Sequence, residues 1–181
     1  AMDGSARPFF AALLKAGIRR YPEHQKRHLC IPDEVTYEDK GSLYRAVPSE
    51  HFEIKATLIH DHPLVPKLDI TVRIDPESFI AEIAGARTFC FEHEVAYLRS
   101  QGLAQGGSLE NAVVIGRDRI HTNADGLRFP DEFVRHKVLD LVGDLTLIGR
   151  ALFKIRVETV RPGHAHNIEF AKRLRDAAHA M

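Results

Sequence analysis

Side chains that could bind a metal ion or transfer a proton recur every four residues along one stretch of the chain. They are His136, Asp140 and Asp144, within DEFVRHKVLDLVGDLTLIG at positions 131–149. In an α-helix this spacing places all three on one side, with a drift of about 40° per step. A histidine and an aspartate four residues apart can bind one divalent ion from the same helix face. The same spacing fits an i,i+4 ion pair beside a solvated aspartate, so spacing alone leaves both interpretations open.

The residues around these three carry the pattern of a mostly buried helix over 131–149. Apolar side chains recur with a period near 3.6, which indicates one face in the core. They are Val134, Val138, Leu141, Leu145 and Ile148, with Leu139, Val142 and Leu147 widening the stripe. Charged groups on such a helix cost free energy unless they are paired, bound to a metal or facing a wet cleft. The polar residues of this helix therefore need partners or a cleft.

The composition describes an ordinary globular protein and excludes several classes of function. Of 181 residues, 44% are hydrophobic and 28% charged, and 25 basic residues balance 25 acidic ones. Neither nucleic acid nor an anionic membrane surface is therefore expected as a partner. Cys30 and Cys90 form no C-x-x-C motif, which argues against a disulfide framework and a thiolate zinc site. With no transmembrane run and no signal peptide in the sequence, a cytoplasmic protein is expected.

Residues typical of helix caps and helix ends predict a helix at the start of the chain. Residues 1–18 read as one helix, with Ser5 as a cap, Pro8 in the first turn and Gly17 at the end. The polar residues 19–28 that follow contain a proline and predict a linker.

Alternating apolar residues predict the sheet against which the helices pack. The runs HLCI, VTYED, SLYRAV, FEIKATLI and LDITVRI, between residues 29 and 83, predict antiparallel strands. ARTFCF, EHEVAYLRSQ and AVVIG, between residues 86 and 116, predict a small strand–helix–strand insert. LFKIRVETV predicts a late strand, and IEFAKRLRDAA predicts a terminal helix. We predict an α+β fold: an antiparallel sheet with two helices packed on one face, plus a small β-α-β insert.

Several residues outside helix 131–149 could also do chemistry, each with a simpler alternative. Gly106 and Gly107 could cradle a phosphate or form a tight turn. His60 and His62 could form part of a metal site or lie in a solvated turn before a proline. His164 follows Pro-Gly at a strand-to-helix turn, where it could be a working side chain or an exposed turn histidine.

Together these pieces resemble a known family. ARTFCF, GLAQGGSLEN, GLRFPDEFVRHKVLDLVGDL and GHAHN occur in that order and closely resemble the second half of UDP-3-O-acyl-N-acetylglucosamine deacetylase. That family comprises the zinc-dependent enzymes of the committed step of lipid A biosynthesis in Gram-negative bacteria. The opening MDGSA resembles the last helix of the family's first half. The resemblance implies a terminal helix of a missing first domain at 1–22, the second domain at 23–181, and an acyl-chain passage at about 89–115.

The resemblance assigns roles on helix 131–149 and at the turn before the terminal helix. It implies that His136 and Asp140 are zinc ligands and that Lys137 meets the substrate near the reacting centre. It implies that His164 is the general acid or electrostatic stabiliser and that Asp144 orients and charges it. Such a carboxylate raises the fraction of histidine that is cationic.

The resemblance also assigns residues in and before the insert. Thr88 matches a threonine whose hydroxyl helps to hold the oxyanion, and loss of one such donor costs about 100- to 1,000-fold in rate. The candidate substrate-binding residues are Phe89, Phe91, Val95, Gly107 and Ser108. The expected substrate and partner is UDP-3-O-acyl-N-acetylglucosamine, with its acyl chain in the insert.

The sequence departs from the family in one large respect. It contains no H-x-x-E-H motif, which in the family supplies the third zinc ligand and the glutamate general base. We therefore expect this chain alone to bind Zn²⁺ weakly and to hydrolyse nothing. A smaller departure is His166, where the family usually has leucine, and this change could perturb the packing beside His164.

Two rival interpretations and one consequence for assembly remain at this point. The chain could be a catalytically inactive module that binds a sugar nucleotide and an acyl chain, or a structural domain in which His136 and Asp140 form an ion pair. A second domain without its first would expose apolar surface. We expect a homodimer or the missing N-terminal half to cover that surface.

Overall fold

A five-stranded sheet lies at the centre of the computed structural model, which describes residues 2–19, 21, 23, 28–150 and 152–179. In sheet order its strands are β2 (Val35–Asp39), β3 (Ser42–Pro48), β10 (Ile155–Val160), β4 (Glu53–Leu58) and β5 (Leu68–Arg73). The predicted α+β class is confirmed. Three of the four strand pairs are antiparallel, whereas β4 and β10 are parallel. That pair differs from the prediction because a long crossover through the insert and a helix separates the two strands.

Strand register explains which face of the sheet is buried. Ala46 and Ile54 both pair with Val157, and Val72 pairs with Ile54, so the four side chains form a row across the sheet. All four are at most 3% exposed. The alternation read from the sequence therefore does mark one core face.

Two helices cover this face, as predicted. They are α4 (Glu132–Leu145) and α5 (His164–His179). The predicted stripe of α4 is buried at Val134, Val138, Leu141 and Leu145. The predicted single helix to 149 ends instead in a 3₁₀ turn at Thr146–Ile148, and Leu147 is 71% exposed, so it does not widen the stripe.

The predicted strand–helix–strand insert is present, with one further strand. Its elements are β6 (Phe89–Phe91), α3 (Glu92–Ser100), β7 (Val113–Ile115) and β8 (Ile120–His121). β6 pairs with β7 in parallel, and β8 pairs with β7 antiparallel. The sequence interpretation missed β8 and assigned His121 to a loop. Two paired residues are too short for a periodic signal.

The remaining elements frame the two layers. Strand β1 (His28–Leu29) pairs in parallel with β9 (Leu152–Phe153). The residues after β5 form α2 (Pro76–Ser78), capped by Asp75, and a π-helical turn at Phe79–Ile83, neither of which was predicted. No helix of the described ranges is long and apolar enough to cross a membrane.

The first helix, α1 (Arg7–Ala16), is shorter than the predicted helix over 1–18 and buries none of its residues. Phe9, Leu13 and Leu14 are each more than half exposed. The predicted cap is shifted: Ala6 is the N-cap residue, while the Ser5 hydroxyl accepts from the Arg7 amide at 3.3 Å. The predicted linker at 19–28 lies largely outside the described residues.

Candidate functional site

Helix α4 brings His136 and Asp140 together, as their spacing predicts. His136 Nε2 lies 3.3 Å from Asp140 Oδ1, and both side chains are about 10% exposed. The other ring nitrogen of His136, Nδ1, lies 3.1 Å from the carbonyl oxygen of Ala86. Because a carbonyl oxygen can only accept, Nδ1 carries a proton, and in the neutral ring Nε2 presents its lone pair to Asp140.

The electrostatics of His136 favour that neutral ring. Burial lowers the pKa of His136 below its ordinary value and Lys137 lowers it further, while Asp140 and the hydrogen bond to Ala86 oppose this shift. Two acceptor atoms, His136 Nε2 and Asp140 Oδ1, then face each other at 3.3 Å. Ligand atoms bound to one tetrahedral Zn²⁺ lie about 3.4 Å apart, so this pair fits two adjacent zinc ligands.

The other oxygen of Asp140 faces the side chains of Lys137 and His164. Lys137 Nζ lies 3.3 Å from Asp140 Oδ2 and 5.2 Å from the centre of the Phe89 ring. His164 Nε2 lies 3.8 Å from the same oxygen. Within the described ranges no group of three or more histidine, cysteine, aspartate or glutamate residues has metal-binding geometry. The described residues therefore show no complete metal site.

His164 reaches this site from the second helix. It is the first residue of α5, which begins four residues earlier than the predicted terminal helix. Its Nδ1 lies 2.8 Å from Asp144 Oδ2, and its side chain is 65% exposed, so Nε2 faces open space beside Asp140. The same Asp144 oxygen accepts from Asn167 Nδ2 at 2.8 Å. Sequence reasoning missed Asn167, although it stands in the GHAHN motif.

Thr88 lies close in sequence to the carbonyl that orients His136. It follows Ala86 by two residues, and its backbone is fixed on both sides. The Thr88 amide donates to the carbonyl of Gly4 at 2.9 Å, and its carbonyl accepts from the Val113 amide at 2.9 Å. The N-terminal segment and the insert thus hold Thr88 between them.

A buried ion pair fixes the residue between Ala86 and Thr88. Arg87 and Glu132 are both fully buried, with Arg87 Nε 2.8 Å from Glu132 Oε1 and Nη2 3.1 Å from Oε2. The Arg87 amide also donates to Oε1 at 2.9 Å. Burial alone would raise the pKa of Glu132, but hydrogen bonds from Arg87 and the Arg128 amide lower it overall. Sequence reasoning missed this pair.

Two cavities are lined by residues of the candidate site or of the insert. One, of about 410 Å³, is lined by Lys137 and Arg161 together with Leu58, Ile59, His60, Asp61 and Pro162. The other, of about 400 Å³, lies in the insert and is lined by Val95 together with Glu92, Ala96, Arg99, Leu109, Val114 and His121. Arg161 has φ 53°, the left-handed region that a side chain rarely adopts, which marks this turn as constrained.

The other insert candidates are placed differently from Val95. The Phe91 ring lies 5.0 to 5.6 Å from the ring centres of His60, His62 and His93. His62 Nδ1 accepts from a backbone amide two residues on, at 3.2 Å, as the turn alternative requires.

The glycine-rich turn of the insert is a tight one. The Gly107 amide donates to the Ala104 carbonyl at 3.0 Å, and the Ser108 amide donates to Asn111 Oδ1 at 2.9 Å. These are the bonds of the tight-turn alternative, and a substrate-binding role for Gly107 and Ser108 stays a prediction.

His166 points away from the site. Its Nδ1 lies 3.1 Å from the Tyr37 hydroxyl and 3.7 Å from Asp39 Oδ2. This histidine therefore packs against strand β2 rather than beside His164.

The comparisons with known proteins agree with the motifs. A family model described as UDP-3-O-acyl N-acetylglycosamine deacetylase matches residues 1–176. The chain is 42% identical over 173 residues to a UDP-3-O-acyl-N-acetylglucosamine deacetylase of Syntrophotalea carbinolica, covering 96% of this chain and 55% of that protein. For the proteins of that name from Chromobacterium violaceum and Geobacter sp., identity is 42% and 46%. The matches cover 99% and 92% of this chain, and 59% and 53% of those proteins. The chain thus spans little more than half the length of these relatives.

The buried ion pair gives a stability prediction. In Glu132→Leu the guanidinium of Arg87 would stay buried without its charge partner, so the free energy of unfolding should fall by about 3–5 kcal/mol in urea titration. The control is Glu34→Leu, which removes an exposed pair: Arg45 Nη2 lies 2.6 Å from Glu34 Oε2, with both side chains nearly half exposed. That loss should stay below about 1 kcal/mol. Equal losses in the two variants would contradict the prediction.

Proposed function

This chain belongs to the UDP-3-O-acyl N-acetylglycosamine deacetylase family, and we propose that it supplies one half of a zinc-dependent deacetylase active site. The proposed substrate is UDP-3-O-acyl-N-acetylglucosamine, and the proposed reaction is hydrolysis of its N-acetyl amide, in the cytoplasm, for lipid A biosynthesis. One observation carries the proposal. His136 Nε2 and Asp140 Oδ1 converge at 3.3 Å, while the Ala86 carbonyl holds the proton of His136 on Nδ1.

The chemistry of this donor pair suits Zn²⁺, which binds imidazole nitrogen and carboxylate oxygen. Zinc held here would lower the pKa of its bound water towards about 7 and polarise the amide carbonyl. His136 and Asp140 provide two of the protein ligands. The third ligand and the general base belong to an H-x-x-E-H motif that this sequence lacks. An inactive binding module is the second candidate, and that absence is the observation that favours it.

The remaining residues of the site suit an amide that is being cleaved. His164, held through Nδ1 by Asp144 at 2.8 Å, presents Nε2 to the space beside Asp140. From there it can give a proton to the leaving amine. The Thr88 hydroxyl is the proposed donor to the developing oxyanion.

The two cavities suit the two ends of the substrate. Lys137 and Arg161 bring two cations to the cavity beside His164, which fits the diphosphate of a sugar nucleotide. Val95, Leu109 and Val114 bring apolar side chains to the insert cavity, which fits an acyl chain. Phe89 and Phe91 lie on strand β6, and the Phe91 ring is 5.0 Å from the ring of His60, which lines the first cavity.

Zinc titration by calorimetry tests the metal site. The chain has two proposed ligands, so we expect weak, saturable binding of one Zn²⁺. His136→Ala should weaken binding by more than the roughly 10- to 100-fold that follows loss of an outer-shell partner. His62→Ala, which removes a histidine of a turn, serves as the control and should bind as the wild type does. Identical heats for the wild type and His136→Ala would exclude a site at His136.

A deacetylation assay tests the reaction. With Zn²⁺ and UDP-3-O-acyl-N-acetylglucosamine the chain alone should release no acetate. Addition of the N-terminal half of the Chromobacterium violaceum relative should restore release. In that mixture Thr88→Val should lower kcat by about 100- to 1,000-fold, whereas Thr36→Val, on the exposed side of β2, should have no effect. Turnover by the chain alone would overturn the proposed division of the site.

The exposed face of α1 gives a prediction on assembly. We propose that residues 1–22 pack with the N-terminal half of the family's enzymes, and that in the isolated chain a second copy covers Phe9, Leu13 and Leu14. In gel filtration the 20.4 kDa chain should elute above monomer mass, and the mass should rise with concentration. Leu13→Lys with Leu14→Lys should restore the monomer, whereas Lys15→Ala should not. A wild type that is monomeric at all concentrations would contradict this.

A further inference from the structure

A chain of hydrogen bonds runs from the backbone before helix α5 to His164, through residues to which the proposed reaction assigns no role. The Gly163 amide donates to the Tyr44 hydroxyl oxygen at 3.1 Å, and Tyr44 contacts Asn167 Oδ1 at 2.6 Å. Asn167 Nδ2 lies 2.8 Å from Asp144 Oδ2, the same oxygen that contacts His164 Nδ1 at 2.8 Å. Tyr44 is 2% exposed and Asn167 fully buried, so water does not compete for these groups.

The donor and acceptor roles in this series of hydrogen bonds are set at its Gly163 end. A backbone N–H can only donate, so the Tyr44 oxygen accepts from Gly163 and its own proton goes to Asn167 Oδ1. Burial raises the pKa of Tyr44 to about 12, so the hydroxyl keeps that proton at neutral pH. With its oxygen engaged in this way, Asn167 must turn its NH₂ group towards Asp144.

The same donor and acceptor roles continue from Asn167 through Asp144 to His164. An NH₂ group can only donate, so Asp144 Oδ2 accepts from Asn167, which stabilises the carboxylate as an acceptor. The proton between Asp144 and His164 therefore lies on Nδ1 of the imidazole. If Asn167 were flipped, its oxygen would face Asp144 Oδ2 and this hydrogen bond would be lost.

We propose that Tyr44 and Asn167 are positioning residues that hold His164 in the Nδ1–H tautomer, with Nε2 directed at the space beside Asp140. The tautomer follows from this chain of donors alone. In this tautomer Nε2 is free to take up a proton, and its later transfer to a leaving amine rests on the proposed function. Neither Tyr44 nor Asn167 touches the reacting atoms, because Asp144 and His164 stand between them and the site.

The test measures the tautomer of His164 in this chain, without zinc or substrate. Long-range ¹H–¹⁵N correlation spectra at about pH 9, where free imidazole is neutral, report the ratio of the Nδ1–H to the Nε2–H form. The wild type should show mainly Nδ1–H. Tyr44→Phe, which keeps the ring packed 5.0 Å from Phe170, should lower the ratio by roughly threefold to tenfold, as expected for one hydrogen bond. Asn167→Ala should lower it at least as much.

A matched control lies on the neighbouring strand. The Tyr37 hydroxyl contacts His166 Nδ1 at 3.1 Å but has no place in the chain to His164. Tyr37→Phe should therefore change the signals of His166 and leave the His164 ratio as in the wild type. If Asn167→Ala fails to fold, Tyr44→Phe decides alone.

Two results would overturn the proposal: a folded Tyr44→Phe with an unchanged His164 ratio, or a Tyr37→Phe that lowers the ratio equally. Because the spectra need no turnover, failure of the deacetylation assay would refute the proposed function and leave this result standing.

Discussion

A charged side chain that is buried away from water needs a partner of opposite charge. The fully buried pair of Arg87 and Glu132 meets this requirement, and the candidate site is built around it. Both side chains are fully buried, and their oxygens and nitrogens are engaged by one another, by Asn123 and by backbone groups of Gly126 and Arg128. Glu132 is the first residue of α4, so the pair ties the start of that helix to the segment before the insert. Ala86 and Thr88, on either side of Arg87, are held with it.

The same constraint gives a different result one turn further along α4. His136 and Asp140 are nearly buried. The one N–H of a neutral His136 ring donates to the Ala86 carbonyl, so it is not available to Asp140. Two acceptors are left facing each other, an arrangement that a cation stabilises. The pair at Glu132 is complete in itself, whereas the pair at His136 needs another group. The first arrangement is structural, and the second is the one on which the proposed metal site rests.

The contrast explains what could be predicted from the sequence. The spacing of His136 and Asp140 was informative because a single helix fixes their relation, and the apolar period of α4 was read correctly for the same reason. Arg87 lies in the ARTFCF motif and Asn167 in the GHAHN motif, but their burial depends on contacts with residues 45 and 23 positions away. The parallel pairing of β4 with β10 is likewise a matter of topology. Short sequence patterns do not indicate which residues far away in the sequence will be in contact.

The two helices that carry the candidate site are fixed by the apolar core. Helix α4 is fixed by Val134, Val138 and Leu141 in the core, and α5 by Phe170 and Leu174, all of them fully buried. In small zinc domains the binding energy is the folding energy, and the chain is unfolded without the ion. Here the two proposed ligands, His136 and Asp140, and His164 with its hydrogen-bonded support are carried by helices that the apolar core fixes. Under the proposed function, the third ligand and the general base would therefore be brought to a surface whose shape the core already holds.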